Sequence, residues 1–213
     1  MKNKRGIFIT FEGPECAGKT TQIKLLKAYL ESDGREAVIT REPGGTEIGE
    51  ELRQIVKHHV SGVPVTDEAE VLLFAASRAQ HVSELIKPAL QRGAVVICDR
   101  FFDSTTAYQG YARGLNMEFI NKLNNFAVSG TMPDITILLD LTAEESIDRG
   151  SRREETLFVE DRIESEEIDF HRRVRDGFLK IAEQEPDRLK IIPAVDTIDN
   201  IHKKIVNIIQ PLL

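Results

Sequence analysis

Two kinds of hydrophobic pattern alternate along the chain. Short runs of β-branched and aromatic residues, such as residues 7–11 and 94–98, are typical of buried strands. Longer stretches between them repeat apolar residues at the spacing of one helix face. Because the two patterns alternate throughout, they predict an α/β fold: a mainly parallel sheet of about five strands with helices on both faces. The strands are expected at Gly6–Glu12, Ala37–Thr40, Ala94–Cys98, Ile135–Asp140 and Leu189–Ile192.

The amphipathic stretches predict the helices of this fold. One helix begins near Asp67, with Glu68 and Glu70 in its first turn, where acidic side chains favour the helix dipole. It is expected to bend or restart around Pro88. The other helices are expected at about 19–32, 47–58, 118–128, 168–183 and 198–209.

Two stretches carry little hydrophobic pattern. Residues 103–106, a run of four polar residues, are expected to form a turn. Residues 143–167 are dense in charge and poor in apolar side chains, so they cannot bury much surface, and a mobile, solvated segment is expected. We therefore expect a single domain over residues 1–213 with a lid at about 143–167.

The strongest motif lies between the first strand and the first helix. Residues 13–21 match the phosphate-loop pattern G-x-x-x-x-G-K-[ST], in the strand–loop–helix setting that this loop requires. Its backbone N–H groups and the helix N-terminus hold phosphate, Lys19 reaches the β/γ-phosphates, and the Thr20 hydroxyl ligates Mg²⁺. The residues expected to bind a nucleoside triphosphate here are Gly13, Pro14, Glu15, Cys16, Ala17, Gly18, Lys19, Thr20 and Thr21.

An acidic and a basic residue follow the apolar strand 94–98. Asp99 at the carboxyl end of this strand is placed to hold Mg²⁺ beside the phosphate loop, directly or through water; otherwise it caps a helix or lies in a surface turn. Arg100 would then point at the same phosphates as a bidentate donor. The sequence therefore predicts a metal site formed by Thr20 and Asp99.

Arginines recur next to strand ends and Gly-rich loops. Arg41, Arg53, Arg78 and Arg100 lie in such positions, although any one of them taken singly is expected to be a solvated surface charge. A phosphoryl-transfer enzyme with a phosphorylated acceptor needs two facing anion sites, and four arginines favour that class over a nucleotide-binding switch.

More arginines lie in the predicted lid. A lid that closes over both substrates excludes water and supplies positive charge to the transition state. The alternative is an exposed helix pair with salt bridges. The arginines of this segment include Arg149, Arg152, Arg153 and Arg162.

Phe74 and Arg78 share one helix face because they are four residues apart. This pair could stack on a base and donate to its edge, but an aromatic residue at such a position is more often part of the core.

Composition narrows the class of protein. The 213 residues carry a net charge of −7, which argues against a broad nucleic-acid footprint. Neither a membrane span nor a secretory signal is seen in the sequence. Cys16 and Cys98 are interpreted as reduced thiols, so a cytoplasmic protein is expected.

Several motifs together resemble bacterial thymidylate kinases, in order and spacing and over nearly the whole chain. The Arg-Glu-Pro-Gly-Gly loop at 41–45 and the Phe-Ala-Ala-Ser-Arg helix at 74–78 are far more specific than the phosphate loop. The other matching segments are 11–15, 18–21, 99–101 and 107–110. The resemblance implies direct, in-line transfer of phosphate from ATP to dTMP with Mg²⁺, and a homodimer.

The resemblance also implies roles for single residues. Phe74 would stack on thymine, and Arg78 would donate to its carbonyl edge. Arg53 and Arg100 would clamp the dTMP phosphate, and Glu15 would lie near the sugar 3′-hydroxyl and the metal. The remaining implied contacts are Thr105 and Gln109 at the base edge, Tyr108 beneath the deoxyribose, Glu42 and Pro43 around the acceptor, and Arg149 on adenine.

The chain departs from the family in two places. Cys16 stands where the family usually has glycine or arginine, so an arginine from the lid is needed more. The lid itself matches the family poorly between Gly150 and Glu160. Arg153 and Arg162 are the residues expected to supply transition-state charge.

Two other functions compete with this interpretation. One is a phosphate-loop kinase for another nucleotide or for an unphosphorylated deoxynucleoside. The other is a GTP-binding switch, which needs a guanine-reading N-K-x-D motif; the Asn-Lys at 121–122 is not followed by that aspartate.

Overall fold

A five-stranded parallel sheet forms the centre of the molecule. The computed structural model describes residues 5–57, 65–151, 163 and 166–213. The strands lie in the order β2-β3-β1-β4-β5, and every neighbouring pair is parallel, as predicted. Their bounds are β1 Phe8–Glu12, β2 Ala37–Arg41, β3 Val95–Asp99, β4 Ile135–Asp140 and β5 Leu189–Pro193.

Helices connect the strands, and most of them lie where the pattern predicts. The described helices are α1 Lys19–Ser32, α2 Glu47–Lys57, α3 Asp67–His81, α4 Lys87–Gln91, α5 Phe102–Thr105, α6 Met117–Val128, α7 Ala143–Ser151, α8 Ile168–Gln184 and α9 Ile198–Ile209. The bend expected near Pro88 is a π-helical turn, Val82–Ile86, which joins α3 to α4. A second π-helical segment, Thr106–Ala112, follows α5.

Strand β3 shows why its sequence is apolar throughout. Ile97 packs into the cluster that α1 and α9 cover, while Val96 and Cys98 pack into the cluster on the opposite face. Successive side chains of a strand point to opposite faces, so a strand covered on both sides has no polar face.

The strand order brings the motif-bearing loops to one edge. β1 lies between β3 and β4, with Phe11 paired with Asp99, and Arg41 at the end of β2 pairs with Asp99 as well. The carboxyl ends of these three strands therefore carry the phosphate loop, the loop after Arg41 and Asp99 side by side.

The turn predicted at residues 103–106 is wrong. Residues 102–105 form α5, and Asp103 is buried because Arg188 donates to both of its carboxylate oxygens, at 2.7 and 2.8 Å. A partner 85 residues away in the sequence satisfies this carboxylate, so local polarity gave no sign of its burial.

The predicted lid is described only in part. Its first residues form α7, in which Ala143 is the only buried residue, as expected for a charge-dense segment. The predicted charge donors Arg153 and Arg162 lie outside the described residues. Within the described ranges, no helix is both long and apolar enough to cross a membrane.

Candidate active site

The phosphate loop curls tightly at the end of β1. Gly13 adopts a φ of 129°, and a Cβ there would lie 2.4 Å from the carbonyl oxygen of Leu139, so the loop needs glycine at this position. Lys19 folds back over the loop, and its Nζ donates to the carbonyl oxygens of Gly13 at 3.1 Å and Pro14 at 2.7 Å. Cys16 has a φ of 56°, in the left-handed region that glycine adopts without strain.

Helix α7 is fastened to this loop. Ser146 Oγ donates to the carbonyl oxygen of Glu15 at 2.7 Å. Arg149 donates from Nη1 to the carbonyl oxygen of Cys16 at 3.4 Å and from Nη2 to that of Ala194 at 2.8 Å. The arginine expected beside adenine therefore bridges the phosphate loop and the segment after β5.

Arg100 lies between the phosphate loop and the rest of the cleft. Its backbone has a φ of 67°, and its N–H donates to the carbonyl oxygen of Phe11 at 2.8 Å. Its guanidinium forms an ion pair with Glu15 and lies 5.4 Å from the centre of the Tyr108 ring. The burial of Tyr108 raises the pKa of its hydroxyl to about 12.

Glu12 fixes the backbone that follows Arg100. Its carboxylate accepts from the N–H of Phe101 at 2.8 Å, from the N–H of Ser104 at 3.3 Å and from Ser104 Oγ at 2.6 Å. These bonds satisfy free donors at the start of α5. Burial, with the nearby charge of Asp103, raises the pKa of the Glu12 carboxyl to about 7.

Glu15 is the one acidic residue of the phosphate loop, and its side chain is 46% exposed. The surrounding walls of the cleft would raise the pKa of its carboxyl, but the charges of Lys19 and Arg100 hold that pKa well below its usual range. Burial and the charge of Arg100 lower the pKa of Lys19. The loop therefore presents a carboxylate held between two cations.

Arg78 is buried on the other side of the cleft. Its Nε donates to Glu42 Oε2 at 2.8 Å, and its Nη1 donates to Thr105 Oγ1 at 3.1 Å and to Asn124 Oδ1 at 3.2 Å. The side chains of Arg78 and Glu42 are 2% and 3% exposed, so they form a buried ion pair rather than a solvated surface charge. Nη2 makes no hydrogen bond to any residue that the structure describes.

Helix α3 also fixes the loop that follows β2. His81 Nδ1 donates to Glu42 Oε1 at 3.0 Å, since a carboxylate can only accept, and His81 Nε2 shares a 2.7 Å hydrogen bond with Thr40 Oγ1. Gly45 passes so close that a Cβ there would lie 2.6 Å from the His81 ring. Glu42 is therefore held between an arginine and a histidine of one helix.

One cleft of about 350 Å³ connects these parts. The predicted residues that line it are Glu15, Cys16, Gly18, Lys19, Thr20, Thr21, Glu42, Pro43, Arg53, Phe74, Arg78, Asp99, Arg100, Thr105, Tyr108 and Gln109. The other described residues predicted for the site, Gly13, Pro14, Ala17 and Arg149, are not among its lining residues. Every described residue predicted to contact the acceptor therefore lies on one cleft with the phosphate loop.

Arg41 is less central than its position suggested. Its side chain is 54% exposed and pairs with Glu50, although it reaches the rim of the cleft. Arg53 lies deeper, and its Nη1 donates to the carbonyl oxygen of Pro43 at 2.8 Å.

Sequence reasoning missed several residues of the site. Lys57 and His171 line the cleft, and His81 and Glu12 form hydrogen bonds with residues that line it. Glu12 directly precedes the phosphate loop, and a carboxylate at the end of a mostly apolar strand was an available signal. His171 belongs to α8, far along the chain, and no spacing in the sequence connects it with the phosphate loop.

The predicted metal ligands suit magnesium. Thr20 is exposed, Asp99 is partly exposed, and both side chains line the cleft. Hydroxyl and carboxylate oxygens are the hard donors that Mg²⁺ accepts, and Mg²⁺ takes its remaining ligands from water and substrate phosphates. The residues present therefore fit this ion.

The parallel sheet, the phosphate loop and the facing arginine-lined cleft define a phosphate-loop nucleotide kinase. A sequence model of the thymidylate kinase family matches residues 11–205, and the chain belongs to that family. The thymidylate kinase of Maridesulfovibrio salexigens is 48% identical over 202 residues, covering 93% of each chain. That of Caldanaerobacter subterraneus is 43% identical over 210 residues, covering 98% of this chain and 97% of the other.

A solved structure agrees with this assignment. The crystal structure of thymidylate kinase from Ehrlichia chaffeensis superposes with a TM-score of 0.76 at 35% identity, covering 97% of this chain and 99% of that one. The predicted resemblance and fold class are thus confirmed.

Proposed function

We propose that this protein phosphorylates dTMP to dTDP with ATP as the donor, by direct in-line transfer across the cleft. The observation that carries the proposal is the shared cleft: a phosphate loop on one side and a buried, arginine-based pocket beside an aromatic residue on the other. The competing class, a GTP-binding switch, has no acceptor substrate and therefore needs no such facing pocket.

The donor side consists of the phosphate loop and Lys19. When the β- and γ-phosphates of ATP enter, Lys19 exchanges its hydrogen bonds to Gly13 and Pro14 for phosphate oxygens. Arg149, which reaches the segment after β5, covers the adenine. The backbone N–H groups of the loop then hold the transferred group without reorganising.

The acceptor base lies between Phe74 and the buried polar groups. Phe74 stacks on thymine, and Arg78 donates to its 4-carbonyl oxygen, since Nη2 has no other partner among the described residues. Thr105 holds Arg78 at the base edge, and Gln109 completes that edge. Tyr108 lies beneath the deoxyribose, where a 2′-hydroxyl would clash.

The acceptor phosphate lies between Arg53 and Arg100. Both arginines line the cleft near the loop after β2, where Glu42 and Pro43 shape the acceptor pocket. Glu15 holds Arg100 in place and lies near the sugar 3′-hydroxyl. Two arginines offset the negative charge of the acceptor, so its phosphate oxygen can approach the γ-phosphate.

Magnesium and the lid complete the site in this proposal. Thr20 and Asp99 would hold Mg²⁺, which would supply positive charge to the phosphates of ATP. The segment 143–167 acts as the lid, and Arg153 and Arg162 supply positive charge to the transition state. Cys16 carries no charge, so the phosphate loop itself supplies no arginine.

The same proposal includes the cellular location, the oligomeric state and the partners of the protein. The protein acts in the cytoplasm as a homodimer, without nucleic acid or membrane partners. Large apolar side chains exposed on α2 and α3 support the dimer: Ile48, Ile55 and Leu72 are 52%, 38% and 51% exposed. Sedimentation of the wild type should give the mass of a dimer, and Leu72→Glu should give a monomer.

An ADP-release assay across dTMP, dUMP, dCMP, dGMP and thymidine tests the function. The proposal predicts the highest kcat/KM with dTMP. Highest activity on thymidine or on a purine nucleotide would instead identify one of the other phosphate-loop kinases.

A further inference from the structure

Glu70 is buried although it lies in the first turn of α3. Its sequence position predicts only an acidic side chain that favours the helix dipole, and the residue is 0% exposed. Arg113 donates from Nε to Glu70 Oε1 at 2.9 Å and from Nη2 to Oε2 at 3.2 Å. The carboxylate is thus held in a fixed orientation by a bidentate pair.

The same carboxylate contacts a residue of the cleft. Gln109 Nε2 donates to Glu70 Oε1 at 2.8 Å, and Gln109 is 2% exposed. A carboxylate offers only acceptors, so the amide of Gln109 must turn its nitrogen toward Glu70. The opposite orientation would place two oxygen atoms against each other in a buried site, at the cost of an unsatisfied polar group.

This orientation decides what Gln109 can offer to a ligand. With the nitrogen directed at Glu70, Oε1 is the amide atom left for the cleft, and it has no hydrogen bond to the described residues. Arg78 presents only donors, and its Nη2 is without a partner among the same residues. The base pocket therefore offers one fixed acceptor and one fixed donor.

We propose that Glu70 is a positioning residue that sets base specificity by fixing the amide of Gln109 with its carbonyl oxygen toward the acceptor base. This inference rests on the proposed function and deepens it. A 4-oxopyrimidine presents an N3–H donor and an O4 acceptor, which match Gln109 Oε1 and Arg78. Cytosine presents an N3 acceptor and a 4-amino donor, which reverse both matches.

The variant Glu70→Gln tests the proposal because it keeps the shape of the side chain, while its amide can donate hydrogen bonds as well as accept them. Arg113 Nε donates to the same oxygen as Gln109 does, so the amide can face Gln109 with either atom only when Arg113 is also replaced, in Glu70→Gln/Arg113→Met. In that double variant Gln109 can turn its nitrogen toward the base. The ratio of kcat/KM for dTMP to that for dCMP is expected to fall about tenfold. The ratio for dTMP to dUMP is expected to stay unchanged, since uracil and thymine share N3–H and O4.

Matched variants separate positioning from general damage. Glu68→Gln changes an exposed carboxylate in the same helical turn and should leave both ratios at the wild-type value. In a Gln109→Leu background, Glu70→Gln should change the dTMP to dCMP ratio no further, because residues that act through one another are not additive. The double variant Glu70→Gln/Arg113→Met carries the full effect, because it removes the second donor to the atom that Gln109 contacts, and it also removes a guanidinium that has lost one anionic partner.

Two results would overturn the inference. One is an unchanged ratio of kcat/KM for dTMP to kcat/KM for dCMP in folded Glu70→Gln and in the double variant. The other is an equal loss of kcat/KM for dTMP, dUMP and dCMP, which a merely structural role would give. The proposed function fails separately, if the wild type does not prefer dTMP at all.

Discussion

Buried charged residues are the feature that distinguishes this site at the scale of single residues. Arg78, Glu42 and Glu70 are almost fully buried, and each meets an opposite charge with defined hydrogen bonds. A buried ion pair is costly to desolvate and adds little to stability, so its value here lies in holding donors and acceptors at fixed positions. Binding then requires little reorganisation of the protein.

Lys19 is the residue whose loss should stop turnover most completely. Lys19→Met keeps the aliphatic stem and removes the cation that reaches the phosphates, so kcat is expected to fall by a factor on the order of 10² to 10³. The ADP-release assay measures this loss, and circular dichroism checks the fold. Lys24→Met, an exposed change on the same helix, is the control and should keep full activity. A Lys19→Met enzyme with normal kcat would contradict the assigned role.

Glu12 should make stability depend on pH. Burial raises the pKa of its carboxyl from 4.5 to about 7, so the folded state holds a proton that the unfolded state has released. Between pH 4.5 and about 7, protonation of Glu12 stabilises the folded state. The free energy of unfolding falls as pH rises through this range, by up to about 1.4 kcal/mol per pH unit.

Urea unfolding without nucleotide or Mg²⁺ measures this dependence. The free energy of unfolding of the wild type should fall relative to that of Glu12→Gln as pH increases from 5 to 7. Parallel curves for the two proteins over this range would show that Glu12 is ionised in the folded state throughout.

At the scale of elements, the short helix α5 connects Glu12 at the end of β1 with Arg188, which directly precedes β5. Its start is held by Glu12, and its Asp103 is held by Arg188, which also donates to Thr136 Oγ1 on β4 at 2.7 Å. The helix thus depends on partners from distant parts of the chain more than on its own four residues.

Arg188→Met should therefore destabilise the protein strongly. It leaves Asp103, whose side chain is 1% exposed, without its cation, and the expected loss is about 3–5 kcal/mol in the free energy of unfolding. Arg172→Met breaks an exposed pair with Glu144 and serves as the control, with unfolding close to that of the wild type. Equal urea midpoints for the two variants would contradict the account of α5.

Local sequence pattern predicts only part of these elements. The strands and the phosphate loop follow from periodicity and spacing, because their burial and conformation are decided by neighbours along the chain. The burial of Asp103 and Glu70 could not be predicted, since Arg188 and Arg113 approach them only in the folded chain. Arg78 was expected to be exposed when taken alone for the same reason.

For the whole molecule, the strand order explains how separate motifs form one site. β1 and β3 are adjacent, and β2 lies on the other side of β3, so the segments that follow these strands, residues 13–21, 42–46 and 99–105, meet at one edge. Family membership agrees with this arrangement, and both nucleotides are proposed to bind in this one cleft.

A crystal structure with dTMP and a non-hydrolysable ATP analogue tests that claim most directly. We expect thymine on Phe74 with its 4-carbonyl oxygen at Arg78, the dTMP phosphate between Arg53 and Arg100, and the triphosphate along residues 13–21. A dTMP molecule bound outside this cleft, or with its base turned away from Arg78 and Gln109, would contradict it.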